Sequence, residues 1–501
     1  MTQPDLSAYP PPEAGPELRR EAEWQRLDPR MLLVHPIREV IRFLPVLVVF
    51  VLARTAAGGE QWQLLGVAFP IALGLLRYLT TSFRIAAGRI ELRRGLLNRH
   101  VLSTPVDRVR TVDLTSSPIH RLLGLTKLRI GTGTASTSDE DRIDLDGLPL
   151  DRARALREEL LHTSTTDDEV ATAAPERDVV TFDPAWVRFA PLTGSGVVIG
   201  AAALGAASQL LQAVGFFERL SPEQLDVPGV SLVLLIPLLV LAFVVLISLL
   251  SIGGYVVTNW GFRLTRTRSA TWHLTRGLFT TRETTLDDDR VAGVTLSEPL
   301  GLRLARGARL SAIVTGLDKS QQGSSALVPP APRTVVERAA REVLDTPVPV
   351  DTPLVAHGPL AARRRWTRAL LPALVPAAAC VVAVLLGEPS WLLAGLVTLP
   401  VAALLARDRV RSLGHALAAG HVVARSGSVV RRRRILEVDH VIGWNFQSTW
   451  FQRRAGLATL VATTAGGNQA VAVLDVPEDE AVRVAGAALP ELIGQFTGTS
   501  R

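Results

Sequence analysis

Cysteine is nearly absent from this 501-residue chain. Cys380 stands alone, which excludes an internal disulfide and any metal site built on a cysteine cluster. It lies in an apolar run, where cysteine behaves as a small hydrophobe. Lysine is almost as scarce: only Lys127 and Lys319 occur, so 52 of the 54 basic residues are arginine. The net charge of +7 is therefore an arginine charge. Those arginines are dispersed and aromatic residues make up only 5%, so the basic stripe with interleaved aromatics that nucleic-acid binding requires is missing. An arginine-favouring coding bias accounts for the excess, and no nucleic-acid partner is expected.

Catalytic and cofactor signatures are lacking too. The nine histidines are scattered; His415 and His421 are six apart and have no partners at metal-ligand spacing. Asp287, Asp288 and Asp289 are adjacent, so on a strand they point to alternating faces and do not converge on a cation. Gly131-Thr132-Gly133 has no following lysine–serine pair and is no phosphate loop. No enzyme activity, cofactor or metal is expected. The first 29 residues are polar and proline-rich, without the apolar core of a signal peptide, and read as a flexible cytoplasmic tail.

What the chain has is apolar length. Hydrophobic residues make up 48% and mean hydropathy is +0.26. A bilayer core needs about 20 apolar helical residues. The runs 189–217 and 230–253 carry no charge, and 369–387 and 389–406 approach the limit. A weaker first pair covers 43–59 and 61–76. The pattern predicts six transmembrane helices in three pairs. Arginines flank the pairs on their outer ends: Arg38, Arg42, Arg77 and Arg84, then Arg188, then Arg363 to Arg365, Arg368, Arg407, Arg409 and Arg411. The short turns within pairs carry Glu60, Glu218 and Glu388. That asymmetry predicts a multi-pass cell-membrane protein with both termini and the long connections in the cytoplasm.

The segment after each pair repeats. Gly95, Gly277 and Gly427 each follow a pair of apolar runs, the first two directly after a short alternating stretch; Gly124, Gly307 and Gly456 stand 29 or 30 residues later. Pro149, Pro332 and Pro477 then open amphipathic helices over 150–161, 333–344 and 478–496. Matched spacing in three places predicts a triplicated unit. Strands are expected over Ile90–Arg93, Trp272–Thr275, Leu128–Ile130, Leu310–Ile313 and Leu460–Thr463, where polar and apolar residues alternate between turn signals.

The segment Gln447-Ser448, with Arg453, Arg454, Gly456-Leu457-Ala458-Thr459-Leu460 and Thr464-Ala465-Gly466-Gly467, resembles the bacterial pleckstrin-homology-like domain of YdbS/YdbT-type membrane proteins. Ser116-Ser117, Arg121, Gly124-Leu125 and Thr132-Gly133 repeat the pattern in the first unit. The second unit departs from it at Arg306-Gly307-Ala308 and Glu298-Pro299. The resemblance implies membrane α-helical hairpins plus β domains, each pair of helices followed by a small pleckstrin-homology-like β-barrel of seven strands with a C-terminal helix. On that reading 1–29 is a tail, 30–79, 186–253 and 363–407 are hairpins, 80–162, 254–345 and 408–501 are PH-like domains, and 163–185 and 346–362 are linkers.

The expected function is binding: a polytopic scaffold or regulator of envelope processes or stress resistance. Its expected partners are membrane lipids, another membrane protein or a related PH-like protein, or a second copy of itself. The alternative is a transporter or channel component built from the three hairpins, which would need polar groups converging at mid-membrane. The candidate site is the run Arg431, Arg432, Arg433 and Arg434, which suits an anionic-lipid contact; the competing reading is a strand edge kept charged against pairing.

Overall fold

The computed structural model describes residues 24–32, 79–86, 88–94, 100–106, 111–131, 143–162, 177–194, 232–267, 271–315, 325–465 and 470–491, with isolated positions between them. The first expected hairpin, and most of the run 189–217, lie outside the described residues. Among the described residues three helices are long and apolar enough to span a bilayer: Val240–Asn259, Gly358–Leu385 and Trp391–Ser412. The last two form an antiparallel hairpin at the expected place.

The three units are built from equivalent strands. The first contains β1 (Gln25–Arg26), β2 (Ser82–Ala86), β3 (Arg89–Arg94), β4 (His100–Pro105), β5 (Thr111–Ser116), β6 (Leu125–Gly131) and β7 (Ile143–Pro149). The second contains β8 (Arg177–Thr181), β9 (Arg263–Arg266), β10 (Thr271–Arg276), β11 (Thr281–Asp287), β12 (Val291–Pro299), β13 (Gly307–Val314) and β14 (Ala326–Pro332). The third contains β15 (Gly414–Ala418), β16 (His421–Ser426), β17 (Val430–Glu437), β18 (Val441–Gln447), β19 (Leu457–Thr464) and β20 (Val471–Pro477). All the expected strands form.

Two features correct the expected domain plan. First, the units begin before their spans. β1 lies in the segment read as a tail, and β8 in the one read as a linker. In the third unit the bridge Val355↔His415 takes the same place. In the second unit helix Leu232–Asn259, and in the third the pair Gly358–Leu385 and Trp391–Ser412, thus lie between the first strand position and the next strand, so sequence order hides the first strand. Second, the run 189–217 does not start in a span. Pro184–Thr193 is a 3-10 helix that buries Trp186, Phe189 and Ala190 in the core of the second unit.

The closing helices form where expected, at Leu150–His162, Arg333–Val343 and Glu478–Ala488. Their buried residues fall at helical spacing: Ala153, Leu156 and Leu160; Val336, Ala339, Ala340 and Val343; Ala481, Val484 and Ala485. Each stripe closes a separate core. Leu92, Val112, Leu114, Leu128 and Leu145 fill the first, Trp272, Leu296 and Leu310 the second, and Leu436, Leu460 and Val473 the third. Each such side chain contributes roughly 1.5–3 kcal/mol on burial.

The expected self-contained barrels are not what forms. Among the described residues the sheets have four, seven, six and three strands, in the orders β1-β2-β3-β4, β7-β6-β5-β11-β10-β9-β8, β14-β13-β12-β17-β16-β15 and β18-β19-β20. The second sheet of each of the first two units runs on into the first sheet of the next. Three cores are therefore joined by two shared sheets.

The turn before β13 also differs from expectation. Gly124 and Gly456 take left-handed backbone, at φ 69° and 58°. In the second unit Arg306 does so, at φ 57°, and not the neighbouring Gly307. The carbonyls of Gly124, Arg306 and Gly456 accept from the first amides of the closing helices, Leu150, Arg333 and Glu478. The equivalent of Gly124 is thus Arg306. Gly307 is glycine for packing: a Cβ there would lie 2.7 Å from the Phe189 ring.

Candidate functional site at the unit junctions

The junctions are antiparallel and share one register. β5 pairs with β11 through Ser116↔Thr281, and β12 pairs with β17 through Glu298↔Arg431. Ser116 precedes Gly124 by eight residues and Glu298 precedes Arg306 by eight; Thr281 comes four after Gly277 and Arg431 four after Gly427. The same positions meet at both junctions, so the side chains across them can be compared row by row.

At the first junction one row is Lys127, Thr115 and Arg282, and the next is Arg129, Asp113 and Thr284. Its cations are neutralised within the sheet. Asp113 is buried and accepts from the Thr284 hydroxyl at 2.6 Å and from Arg282 at 3.0 Å. Asp144, on β7, pairs with Lys127 at 2.7 Å and with Arg129 at 3.0 Å. Burial opposes ionisation of Asp144, yet Lys127 and Arg129 hold its carboxyl below the ordinary value.

At the second junction the matching rows are Arg309, Ser297 and Arg432, then Ser311, Thr295 and Arg434. Thr295 stands where Asp113 stood, and Ala326, opposite Ser311, where Asp144 stood. Three arginines remain and both carboxylates are gone. Arg309, Arg432 and Arg434 line a cleft of about 470 Å³ with Thr295, Ser297 and Ser311. Among the described residues none of the three makes an ion pair. Burial, followed by repulsion from Arg432, pushes the guanidiniums of Arg309 and Arg434 below their ordinary range.

The structure splits the arginine run by strand alternation. Arg431 and Arg433 face the other side of the sheet: Arg431 pairs with Asp408 at 2.9 Å, and Arg433 donates to the carbonyls of Pro349 and Thr352 at 2.8 Å. Only Arg432 and Arg434 reach the cleft. β17 is also an interior strand of a six-stranded sheet, not the edge that the competing reading required. Arg309 joins the cleft from 123 residues upstream; no local pattern marks it, because its place depends on the junction register.

A second cluster ties the third unit to its hairpin. His357, next to the start of helix Gly358–Leu385, donates from Nδ1 to the Leu474 carbonyl at 2.9 Å. His415 Nδ1 lies 3.0 Å from His357 Nε2, and His415 Nε2 lies 3.0 Å from Glu480. Burial, then the nearness of His415, pushes His357 down to about 4. Burial also lowers His415, against the pull of Glu480. Two of the histidines that the sequence scatters, His357 and His415, are thus brought together. No group of three or more metal-ligating side chains is present among the described residues. Asp288 is engaged structurally, accepting from Trp272 Nε1 and Arg266 at 2.6 Å each.

Residues 39–164 and 369–487 match the family model of the bacterial PH domain. Both regions are similar to the bacterial PH domain, and the repetition supports a protein of bacterial PH-like domains. Comparison with curated proteins gave no match, and comparison with solved structures gave none. The matched regions hold most of the first and third units; the second unit shares their strand order and closing helix. The two matched PH-domain regions and the three apolar helices among the described residues are compatible with a membrane-associated PH-domain protein.

Proposed function

We propose that this chain is a membrane-anchored scaffold whose recognition surface is the arginine cleft between its second and third PH-like units, and that the cleft takes a phosphate-type anion. The reading includes six spans in three pairs, both termini in the cytoplasm, kinship with the YdbS/YdbT-type membrane proteins, and a binding role in envelope processes. One observation carries it: at equivalent positions of two junctions with the same register, the first keeps Asp113 and Asp144 among its cations and the second replaces them by Thr295 and Ala326. Like charges in a partly desolvated cleft repel, and an oxyanion relieves that repulsion while offering acceptors to guanidinium forks and hydroxyls. The transporter reading has less support. Ser248 and Thr398, in the described spans, return their hydroxyls to carbonyls of their own helices, Val244 and Ala394.

The test uses the full chain in neutral detergent. Inorganic phosphate at fixed ionic strength should raise the unfolding temperature of the wild type and leave an Arg309→Gln, Arg432→Gln, Arg434→Gln variant unmoved. A second arm compares phosphatidylglycerol-containing with neutral vesicles, separating a lipid headgroup from free phosphate. Equal responses of variant and wild type in both arms would refute the reading.

A further inference from the structure

The two junctions close four of the sheet edges that the three units present, and they leave one of each kind open. β5 and β12 are covered by β11 and β17. β18, their equivalent in the third unit, has no strand on that side among the described residues. Nor has β4, the first-unit equivalent of β11 and β17. The open edge at one end of the chain is thus of the kind that accepts the open edge at the other.

The side chains of β18 match an uncovered junction. Ser448 lies eight residues before Gly456, which places Phe446 at the position of Leu114 and Leu296. Those two are 2% and 4% exposed in their covered strands, whereas Phe446 is 41% exposed. Ile442 takes the position of Ala292; the exposures are 61% and 0%. The strand reads Val441-Ile442-Gly443-Trp444-Asn445-Phe446-Gln447, with no charge and no proline. Free edges are normally blunted by charge, proline or short length. This one has seven residues, and its exposed apolar side chains, Ile442 and Phe446, are larger than Ala292, Leu114 and Leu296, which are buried at the covered junctions. On β4, Val101 is 54% exposed. The junction register sets Phe446 opposite Val101 and Trp444 opposite Ser103.

We infer that the chain assembles head to tail, with β18 of one copy pairing antiparallel with β4 of a second copy in the register of the two internal junctions. The occupant is another copy because the chain itself holds both halves of the contact and already builds that contact twice. Such an interface is heterologous, so it closes into a ring or propagates as a filament in the membrane plane. The inference rests on the shared sheets and is independent of the arginine cleft, so phosphate binding and assembly fail or stand separately.

The experiment co-expresses two differently tagged full-length chains in a Cys380→Ala background, one carrying Val101→Cys and the other Phe446→Cys. In mild detergent, oxidation or a short bismaleimide should join the two tags, and neither variant alone should cross-link. In a parallel measurement by mass photometry, Phe446→Glu or Val101→Lys should each reduce the wild-type oligomer to single copies. The chain carrying both should recover it through the new cross-strand charge pair, which a folding defect would not do. The proposal is overturned by cross-links within a single variant, which mean a two-fold contact, or by a single-copy mass at all concentrations without cross-linking. It is equally overturned if a different protein is found held on β18 in place of the second copy.

Discussion

Asp113 of the first unit accepts a hydrogen bond from the Thr284 hydroxyl of the second at 2.6 Å, with both residues buried and 171 positions apart. That contact is one of the polar fixings of the first shared sheet. Removing the carboxylate by Asp113→Ala leaves the buried Thr284 hydroxyl without this acceptor and takes a charge from beside Arg282. The expected loss is about 2–4 kcal/mol. It should appear as a lower unfolding temperature and faster amide exchange in β11, with β19 unaffected.

The inverse change tests the cleft. Thr295→Asp sets a carboxylate between Arg434 and Ser311, where Asp113 stands at the first junction. Phosphate affinity should fall about tenfold or more, corresponding to at least 1.4 kcal/mol. The unfolding temperature without phosphate should rise, because the carboxylate answers a repulsion that the wild type leaves open. Isothermal titration with phosphate, together with melting, checks both.

Much of this was legible from the residues, and the reasons for the rest are physical. The spacing of Gly95, Gly124 and Pro149 repeats because each unit needs a hairpin turn, a left-handed turn and a helix start, and local chemistry records all three. The shared sheets left no such trace. Pairing of β5 with β11 is a contact between residues about 170 apart, and an edge strand reads the same whether it is covered or free. The first strands were hidden for a related reason: Gln25–Arg26 is two residues long, and Arg177–Thr181 is separated from its partner strand by more than 80 residues that include the apolar helix Leu232–Asn259. Of the arginine run, composition marks the strand, but only the register tells which side of the sheet each guanidinium takes.

Arg306 offers a stability test of the corrected repeat. At φ 57° it holds a conformation that costs a non-glycine residue roughly 1–2 kcal/mol. Arg306→Gly should therefore stabilise the chain by about 1 kcal/mol, and Gly456→Ala should destabilise it by about as much. Differential scanning fluorimetry of the two variants reads the opposite signs. Were Gly307 the turn residue, Arg306→Gly would bring no gain.

The buried His357 predicts an acid limit. Its folded-state value is depressed to about 4 from 6.5, so the unfolded chain binds more protons between those values. Stability is then full above about pH 6.5 and falls as the pH drops toward 4. The change from this residue is on the order of 2–3 kcal/mol. Burial of His415 acts in the same direction. His357→Asn should flatten the pH dependence of unfolding between pH 4 and 6.5, while the wild type shows a clear slope.

The central claim is that the units are joined by continuous sheets, and amide hydrogen exchange of the full chain in detergent tests it most directly. β17 and β11, paired on both sides, should show protection along nearly all their amides, comparable to β16 and β10. Rapid exchange of the outward half of the amides in 281–287 and 430–437, as in free edge strands of separate barrels, would contradict it.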